Sequence, residues 1–300
     1  MKKKKIDLFD ICINIFMLLL ILLIAYPLYF TVIASLSDPS AVAGGKISWR
    51  PVGFTLNAYE YIMEYKKIWA GYANTIYYTV LGTLFNIILT IPASYAVSKK
   101  QMPGRNVIMT LFLITMYFGG GMVPTYLLIK NMGLLNTRMV LIILGGVSVY
   151  NLIVSRVYFS TSIPESLYEA AEIDGAGEIK KFLSIAIPLA KPIIAVMVLY
   201  YAVGHWNSYF NALLYVRDRS LHPLQLVIRE ILILNEDIVG EILAQGDISA
   251  EELMGAVNRQ KTAYTMKYAV VFITSAPLLA IYPFIQKYFV KGVMIGAVKE

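Results

Sequence analysis

Apolar residues run in long blocks along this chain, and polar residues gather between them. A helix needs ~20 mostly apolar residues to cross a bilayer. Six blocks reach that length, at about residues 11–36, 72–98, 107–130, 138–158, 189–215 and 265–289. None has Asp, Glu, Lys or Arg in its middle. The pattern predicts an all-α membrane protein with six transmembrane helices. The breaks carry charge and turn chemistry, as in Lys99-Lys100-Gln101-Met102-Pro103-Gly104-Arg105 and Lys130-Asn131-Met132-Gly133. On this reading residues 1–10 form a cytoplasmic N-terminus, 11–290 a single transmembrane domain and 291–300 a cytoplasmic tail. A polar loop over 159–188 joins spans four and five, and a long external loop covers 216–264.

Composition supports insertion. Of 300 residues, 58% are hydrophobic and only 15% charged, too apolar for a soluble domain of this length. Lys2, Lys3, Lys4 and Lys5 precede an apolar run longer than the ~7–15 residues of a signal-peptide core, which predicts an uncleaved first span. The net charge of +7 would hint at nucleic acid in a soluble protein. Here the basic residues flank apolar runs, so they report topology and no nucleic-acid partner is expected. Six spans put both termini on one side. Lys and Arg divide almost equally between the two faces, but the lysines beside span one place the termini in the cytoplasm. The single cysteine, Cys12, excludes an internal disulfide and a Cys-based metal cluster, and His205 and His222 lack metal spacing.

Proline and glycine mark the spans. Pro27, Pro92, Pro124, Pro277 and Pro283 fall inside them, where each removes a backbone hydrogen bond. Proline is also simply commoner in membrane helices. Gly119-Gly120-Gly121 interrupts span three and permits either a break or a close helix approach. Outside the membrane, residues 37–71 form a loop with Trp49-Arg50-Pro51. Leu224-Gln225-Leu226-Val227-Ile228-Arg229-Glu230-Ile231-Leu232 is amphipathic enough for a helix lying at the membrane surface.

The loop between spans four and five is the most distinctive segment. Ser162-Ile163-Pro164-Glu165 has capping-box spacing, and the helix it opens runs to about Asp174. Gly175 supplies a left-handed stop. At helical spacing Ile163, Leu167, Ala170 and Ala171 form one face and Glu165, Glu169 and Glu172 another. A second short helix from Glu178 carries Lys180 and Lys181 outward and Phe182 inward. Helices that lie on lipid are usually basic on their polar face. Three glutamates there favour a protein partner.

Glu169-Ala170-Ala171, Asp174-Gly175-Ala176 and Ile185-x-Ile187-Pro188 resemble the EAA signature (E-A-A, then G, then I-x-L-P) of type I ABC importer permeases. Ile187 stands where that pattern usually has Leu. Asn74-Thr75, Tyr95-Ala96-Val97-Ser98 and Trp206-Asn207 are similar to carbohydrate-uptake members. The C-terminal stretch from Gln286 to Lys299 resembles those that take up complex oligosaccharides, aldouronates among them. The resemblance implies a permease subunit of an ATP-driven importer in the bacterial cytoplasmic membrane. Its partners would be a second homologous permease, an ATPase dimer, an extracytoplasmic solute-binding protein and an oligosaccharide. Glu169, Ala170, Ala171, Asp174, Gly175, Ala176, Phe182 and Pro188 would form the ATPase-coupling element. ATP and Mg would sit on the partner ATPase. This chain has no Gly-x-x-x-x-Gly-Lys-[Ser/Thr] of its own, and no cofactor is expected on it.

No mid-span carboxylate is present to serve ion coupling, which weighs against the alternative of a secondary sugar transporter. No nucleophile–base or metal constellation supports an enzyme. For the sugar, span five offers Asn207, Ser208 and Asn211 on one helical face, with position 204. Trp206 and Tyr209 serve either to stack a sugar or to form an interfacial aromatic belt. His205 reads as a helix-to-helix hydrogen bonder.

Overall fold

The computed structural model describes residues 8–236 and 249–295, and every regular element among them is helical. In chain order these are α1 (Leu8–Ser35), α2 (Pro39–Ala43), α3 (Asn57–Glu64), α4 (Lys66–Ser98), α5 (Arg105–Tyr117), α6 (Met122–Asn131), α7 (Arg138–Ile143), α8 (Val149–Thr161), α9 (Glu165–Ile173), α10 (Glu178–Lys181), α11 (Ile187–Leu189), α12 (Lys191–Trp206), α13 (Phe210–Tyr215), α14 (Leu224–Glu236) and α15 (Ala250–Ile295). Residues 1–7, 237–248 and 296–300, with the lysines Lys2 to Lys5 and the end of the tail, lie outside the described residues. The chain divides into two units, one drawn from residues 1–66 and 228–277, the other from 67–227 and 278–300.

In the first unit, α1 leaves the side chains of its apolar stretch outside the protein's own core, as a lipid-facing helix must. Only its last turn is buried, where Ile33 and Ala34 pack with Ile47, Phe30 and Tyr268. The helix continues through Pro27. The loop that follows is folded. Asp38 caps α2 by accepting from the Ser40 and Ala41 amides at 2.8 and 3.3 Å. Tyr29 donates to the Trp49 carbonyl at 2.7 Å.

The second unit is organised by α4. Gly71, Asn74, Thr75, Tyr78, Gly82, Asn86, Thr90 and Ser94 are all buried, and apart from the adjacent Asn74 and Thr75 they follow at steps of three and four that place them on one face. Ile76, Val80, Leu84 and Ile88 are exposed. The helix is therefore apolar outward and polar inward, the inverse of a soluble amphipathic helix. Its inward polar groups meet backbone that no helix satisfies. Asn74 Nδ2 donates to the Ser220 and His222 carbonyls at 2.7 and 3.1 Å. Tyr78 donates to the Leu221 carbonyl at 2.8 Å, and Thr75 Oγ1 accepts from the Leu224 amide at 2.8 Å. Asn86 Nδ2 donates to the Gly145 and Gly146 carbonyls at 3.1 and 2.9 Å. Its Oδ1 lies 2.8 Å from His205 Nε2, so His205 does join two helices.

Three expected spans are not continuous helices. The triplet in span three is a break: α5 and α6 meet at 112°, with Gly121 at φ 83°. The block expected as one helix over 138–158 divides into α7 and α8 around Gly145 at φ 76°, a left-handed residue that α-helix cannot contain. The block over 189–215 divides into α12 and α13 at residues 207–209, and α12 meets the segment Glu178–Leu189 at 79°. Among the described residues, α1 and α4 alone are each long and apolar enough to cross a membrane as one helix. Residues 216–264 are largely helical where described, and α15 begins well before residue 265 and continues beyond 289. The start of α14 does not lie on a surface. Leu224 and Leu226 are fully buried, with the Leu224 backbone against Gly71 of α4, because the amide needs Thr75 and the apolar side chains need cover.

Gly82 makes room for His205. A Cβ at Gly82 would stand 2.4 Å from the imidazole, whereas one at Gly204 would meet nothing within 4 Å. Overpacking of this kind costs ~1–3 kcal/mol. Gly82→Ala is expected to lower the thermal unfolding temperature in detergent, and Gly204→Ala to leave it near that of the parent chain.

Candidate functional site

The segment that the sequence singles out folds as a short helix, a turn and a bent return. The helix α9 ends at Ile173 with a Schellman arrangement. The Ala176 amide donates to the Ala171 carbonyl at 2.8 Å and the Gly175 amide to the Glu172 carbonyl at 3.0 Å. Gly175 takes φ 74°, a conformation costing an L-residue with a Cβ ~1–2 kcal/mol. Asp174 is the last residue before this turn. After Gly177, α10 passes into a π-helical turn over Phe182–Ala186, then into α11, which contains Pro188, and α12.

At the other end the expected capping box is absent. Pro164 stands at the N-cap with no side-chain bond, and Ser162 is instead the C-cap of α8. Glu165 reaches sideways instead. It accepts from Gln101 Nε2 at 3.3 Å and lies 3.9 Å from Lys100 Nζ. Both partners in that ion pair are largely exposed, so it is worth ~0–1 kcal/mol.

The apolar face read from spacing is not buried as a unit. Ile163 and Tyr168 are buried, whereas Leu167 is 43% and Ile173 is 87% exposed, and Ala170 is also exposed. Tyr168 wins the interior because an aromatic cluster waits for it. The Tyr95 ring at the end of α4 lies 6.0 Å from Tyr168, 4.9 Å from Phe182 and 5.7 Å from Phe159. Phe182 turns inward as expected. Lys99, just past the end of α4, sets its ammonium 2.9 Å from the centroid of the Tyr168 ring and 5.0 Å from that of Tyr95. A cation over an aromatic face contributes ~0.5–1 kcal/mol at an exposed site and ~2 when desolvated. Partial burial holds the Lys99 ammonium below its ordinary value, against the upward pull of Glu178. Burial, then Glu178, push the Tyr168 phenol up to about 12, so it stays neutral at any physiological pH.

Lys181 was expected outside and is only 5% exposed. It lies 3.2 Å from Glu172 on α9 and also pairs with Glu178 on its own turn. An ammonium is buried only where hydrogen bonds replace water, and here two carboxylates do so across the Gly175 turn. The Glu178–Lys181 spacing of three was visible in the sequence, but Glu172 joins only once the turn has formed. Between α9 and residues 96–103 lies a cavity of about 500 Å³, whose lining includes Lys99, Gln101, Glu165, Glu169, Glu172 and Lys181.

The expected sugar-lining face does not exist as drawn. Asn207, Ser208 and Tyr209 sit in the break between α12 and α13, so positions 204, 207, 208 and 211 do not share one helical face. The Asn207 side chain donates to the Val203 carbonyl at 3.0 Å. Trp206 is buried, its ring 6.2 Å from Tyr72, which excludes it from an interfacial belt. Asn207 and Tyr209 are exposed, and Ser208 and Asn211 half-buried.

Residues 67–295 match the binding-protein-dependent transport system inner membrane component family. The chain belongs to that family. It is 36% identical over 291 residues to protein LplC of Bacillus subtilis strain 168, covering 97% of this chain and 95% of that one. It is 35% identical over 292 residues to the polygalacturonan/rhamnogalacturonan transport system permease protein YtcP of the same strain, covering 97% and 98%. Among solved structures, it resembles a chain from a bacterial ABC transporter involved in the import of the acidic polysaccharide alginate. The TM-score there is 0.81 and the identity 30%, over 96% of this chain and 99% of that one. This binding-protein-dependent permease is thus a transport component of the cytoplasmic membrane.

The Lys181 pairs carry a pH signature. Hydrogen bonding to Glu178, the largest cause, and to Glu172 raises the ammonium above its ordinary value of 10.5. A raised basic group contributes stability that is fully present below its unfolded value and lost as pH rises through its folded one. Hydrogen exchange of the amides from 171 to 178 is expected to show constant protection through neutral pH, after correction for intrinsic rates. Protection should fall only above about 10.5, and Lys181→Met should abolish that alkaline step.

Proposed function

We propose that this chain is one of two permease subunits of an ATP-driven importer that moves an oligosaccharide into the cell by alternating access, coupled to a separate ATPase through α9. The observation that carries the reading is the geometry of the EAA segment. Its helix is anchored from below by Tyr168 and the Lys181 pairs, its turn is closed by Gly175, and it leaves Leu167, Glu169, Ala170 and Ile173 exposed. Exposed apolar residues rimmed by charge mark a protein contact, and a rigid projecting helix can transmit a push. Glu169 offers its charge to a basic residue of the ATPase, while Ala170 lets that surface come close. ATP and Mg reside on that partner. The second permease and an extracytoplasmic solute-binding protein complete the assembly, with six spans and both termini in the cytoplasm.

The relatives named for polygalacturonan/rhamnogalacturonan transport and for alginate import support an acidic oligosaccharide as the cargo. Asn207, Ser208, Asn211 and Tyr209 at the α12–α13 break are the proposed contacts along its path, with Trp206 as their buried support. A helix break inside a membrane is tolerated where it is buried in protein or lines a water-filled cavity, which suits a polar cargo.

Affinity purification from native membranes in mild detergent tests the assembly. A second permease and an ATPase are expected to co-purify. Recovery of the chain alone, under conditions that keep a control importer intact, would move the reading to a secondary transporter. Glu169→Lys is expected to leave the chain inserted but to reduce recovered ATPase, and undiminished sugar uptake by that variant would count against coupling through α9. Competition of uptake by trigalacturonate but not by maltotriose is the outcome expected for an acidic cargo.

A further inference from the structure

Displacement of α9 has two routes into the spans that the backbone itself provides. One runs back through Ile163 into α8, the other forward through α10 and α11 into α12. The helix α4 has no such route, since residues 99–164 separate its end from α9. Yet α4 holds the polar groups to which the breaks at 145–146 and 220–224 are bonded. Any movement of the second unit as a body must therefore bring α4 along through side chains.

We propose that Lys99 and Tyr168 form the joint through which movement of α9 enters α4, and that both are positioning residues of the transport cycle. This rests on the coupling role proposed above for α9. Three observations carry it. The Lys99 ammonium stands 2.9 Å from the centroid of the Tyr168 ring, and Tyr168 is 7% exposed, so the contact is sheltered. Tyr95, on the last turn of α4, packs its ring against the same tyrosine and against Phe182, so the joint holds the end of α4 as well as the residue just past it. The other links from α9 to the residues after α4, Lys100 and Gln101 to Glu165, are exposed and water competes for them. The contact also keeps one chemical form. Burial leaves the tyrosine a neutral phenol, so the attraction is of a cation for a ring face and needs the ring rather than the hydroxyl.

That chemistry separates a joint from general packing. Tyr168→Phe keeps the ring and Lys99→Arg keeps a cation; Tyr168→Leu and Lys99→Gln remove one partner each. The experiment uses the whole complex, with its partner permease and ATPase, in lipid nanodiscs. Spin labels are placed at Ser166→Cys on α9 and Leu84→Cys on α4, both exposed positions, with Cys12→Ser as background. Their separation is measured by pulsed electron resonance without nucleotide and trapped with ADP and vanadate. Wild type, Tyr168→Phe and Lys99→Arg are expected to keep one narrow distance in both states. Tyr168→Leu and Lys99→Gln are expected to hydrolyse ATP still, while the distance shifts on trapping and its distribution broadens. An unchanged, narrow distance in Tyr168→Leu overturns the joint, as does a broadened one in Lys99→Arg. Failure of wild type to retain an ATPase overturns the coupling reading itself, and the joint with it.

Discussion

Hydrocarbon cannot hydrogen-bond a peptide group, and this one constraint explains most of the second unit. Every backbone donor and acceptor released by a helix break must find a partner within the protein. The chain breaks its helices repeatedly, at 118–121, 144–148 and 207–209, so the demand is large. One side of α4 supplies the break at 144–148 and, beyond those three, the segment 220–224. Asn74, Thr75, Tyr78 and Asn86 each take up groups left over by another segment, while Gly71 lets the Leu224 backbone approach and Gly82 makes room for His205. The same face gives Thr90, whose hydroxyl lies 2.7 Å from that of Tyr201, which in turn accepts from the Ser148 amide at 3.1 Å.

The end of the same unit that carries α9 is held differently. There the contacts are aromatic and ionic. The cluster of Tyr95, Phe159, Tyr168 and Phe182 gathers the ends of α4 and α8 and the start of the return toward α12. Lys99 and Lys181 both line the cavity beside α9 and tie it to two other stretches, Lys99 to the residues that follow α4 and Lys181 to α10. These contacts hold α9 while leaving Leu167, Glu169, Ala170 and Ile173 exposed.

Much of this was legible along the chain. The apolar blocks and the left-handed glycine at 175 follow from composition and local spacing, and the EAA-like segment is marked by its resemblance to a family pattern. His205 as a bridge between helices was also readable, since a lone polar ring in an apolar helix needs a partner. The breaks within spans four and five were not. Gly145-Gly146 and Asn207-Ser208 are short, and hydropathy averages over them, so a broken helix and a straight one look alike. The burial of Tyr168 was not legible either: local periodicity groups Ile163, Leu167, Ala170 and Ala171, but the partner that decides the matter is Tyr95, seventy-odd residues away.

The sequence by itself determined that the chain enters a membrane and where its polar loops fall, because those properties are sums over neighbouring residues. Only the tertiary structure decided which polar residue meets which orphaned carbonyl, why Lys181 is buried and where α9 is joined to α4. Those outcomes depend on pairs such as Asn86 with Gly145, Glu172 with Lys181 and Lys99 with Tyr168. Each pair exists only after a turn or a helix crossing has brought its members together, and no local pattern encodes it.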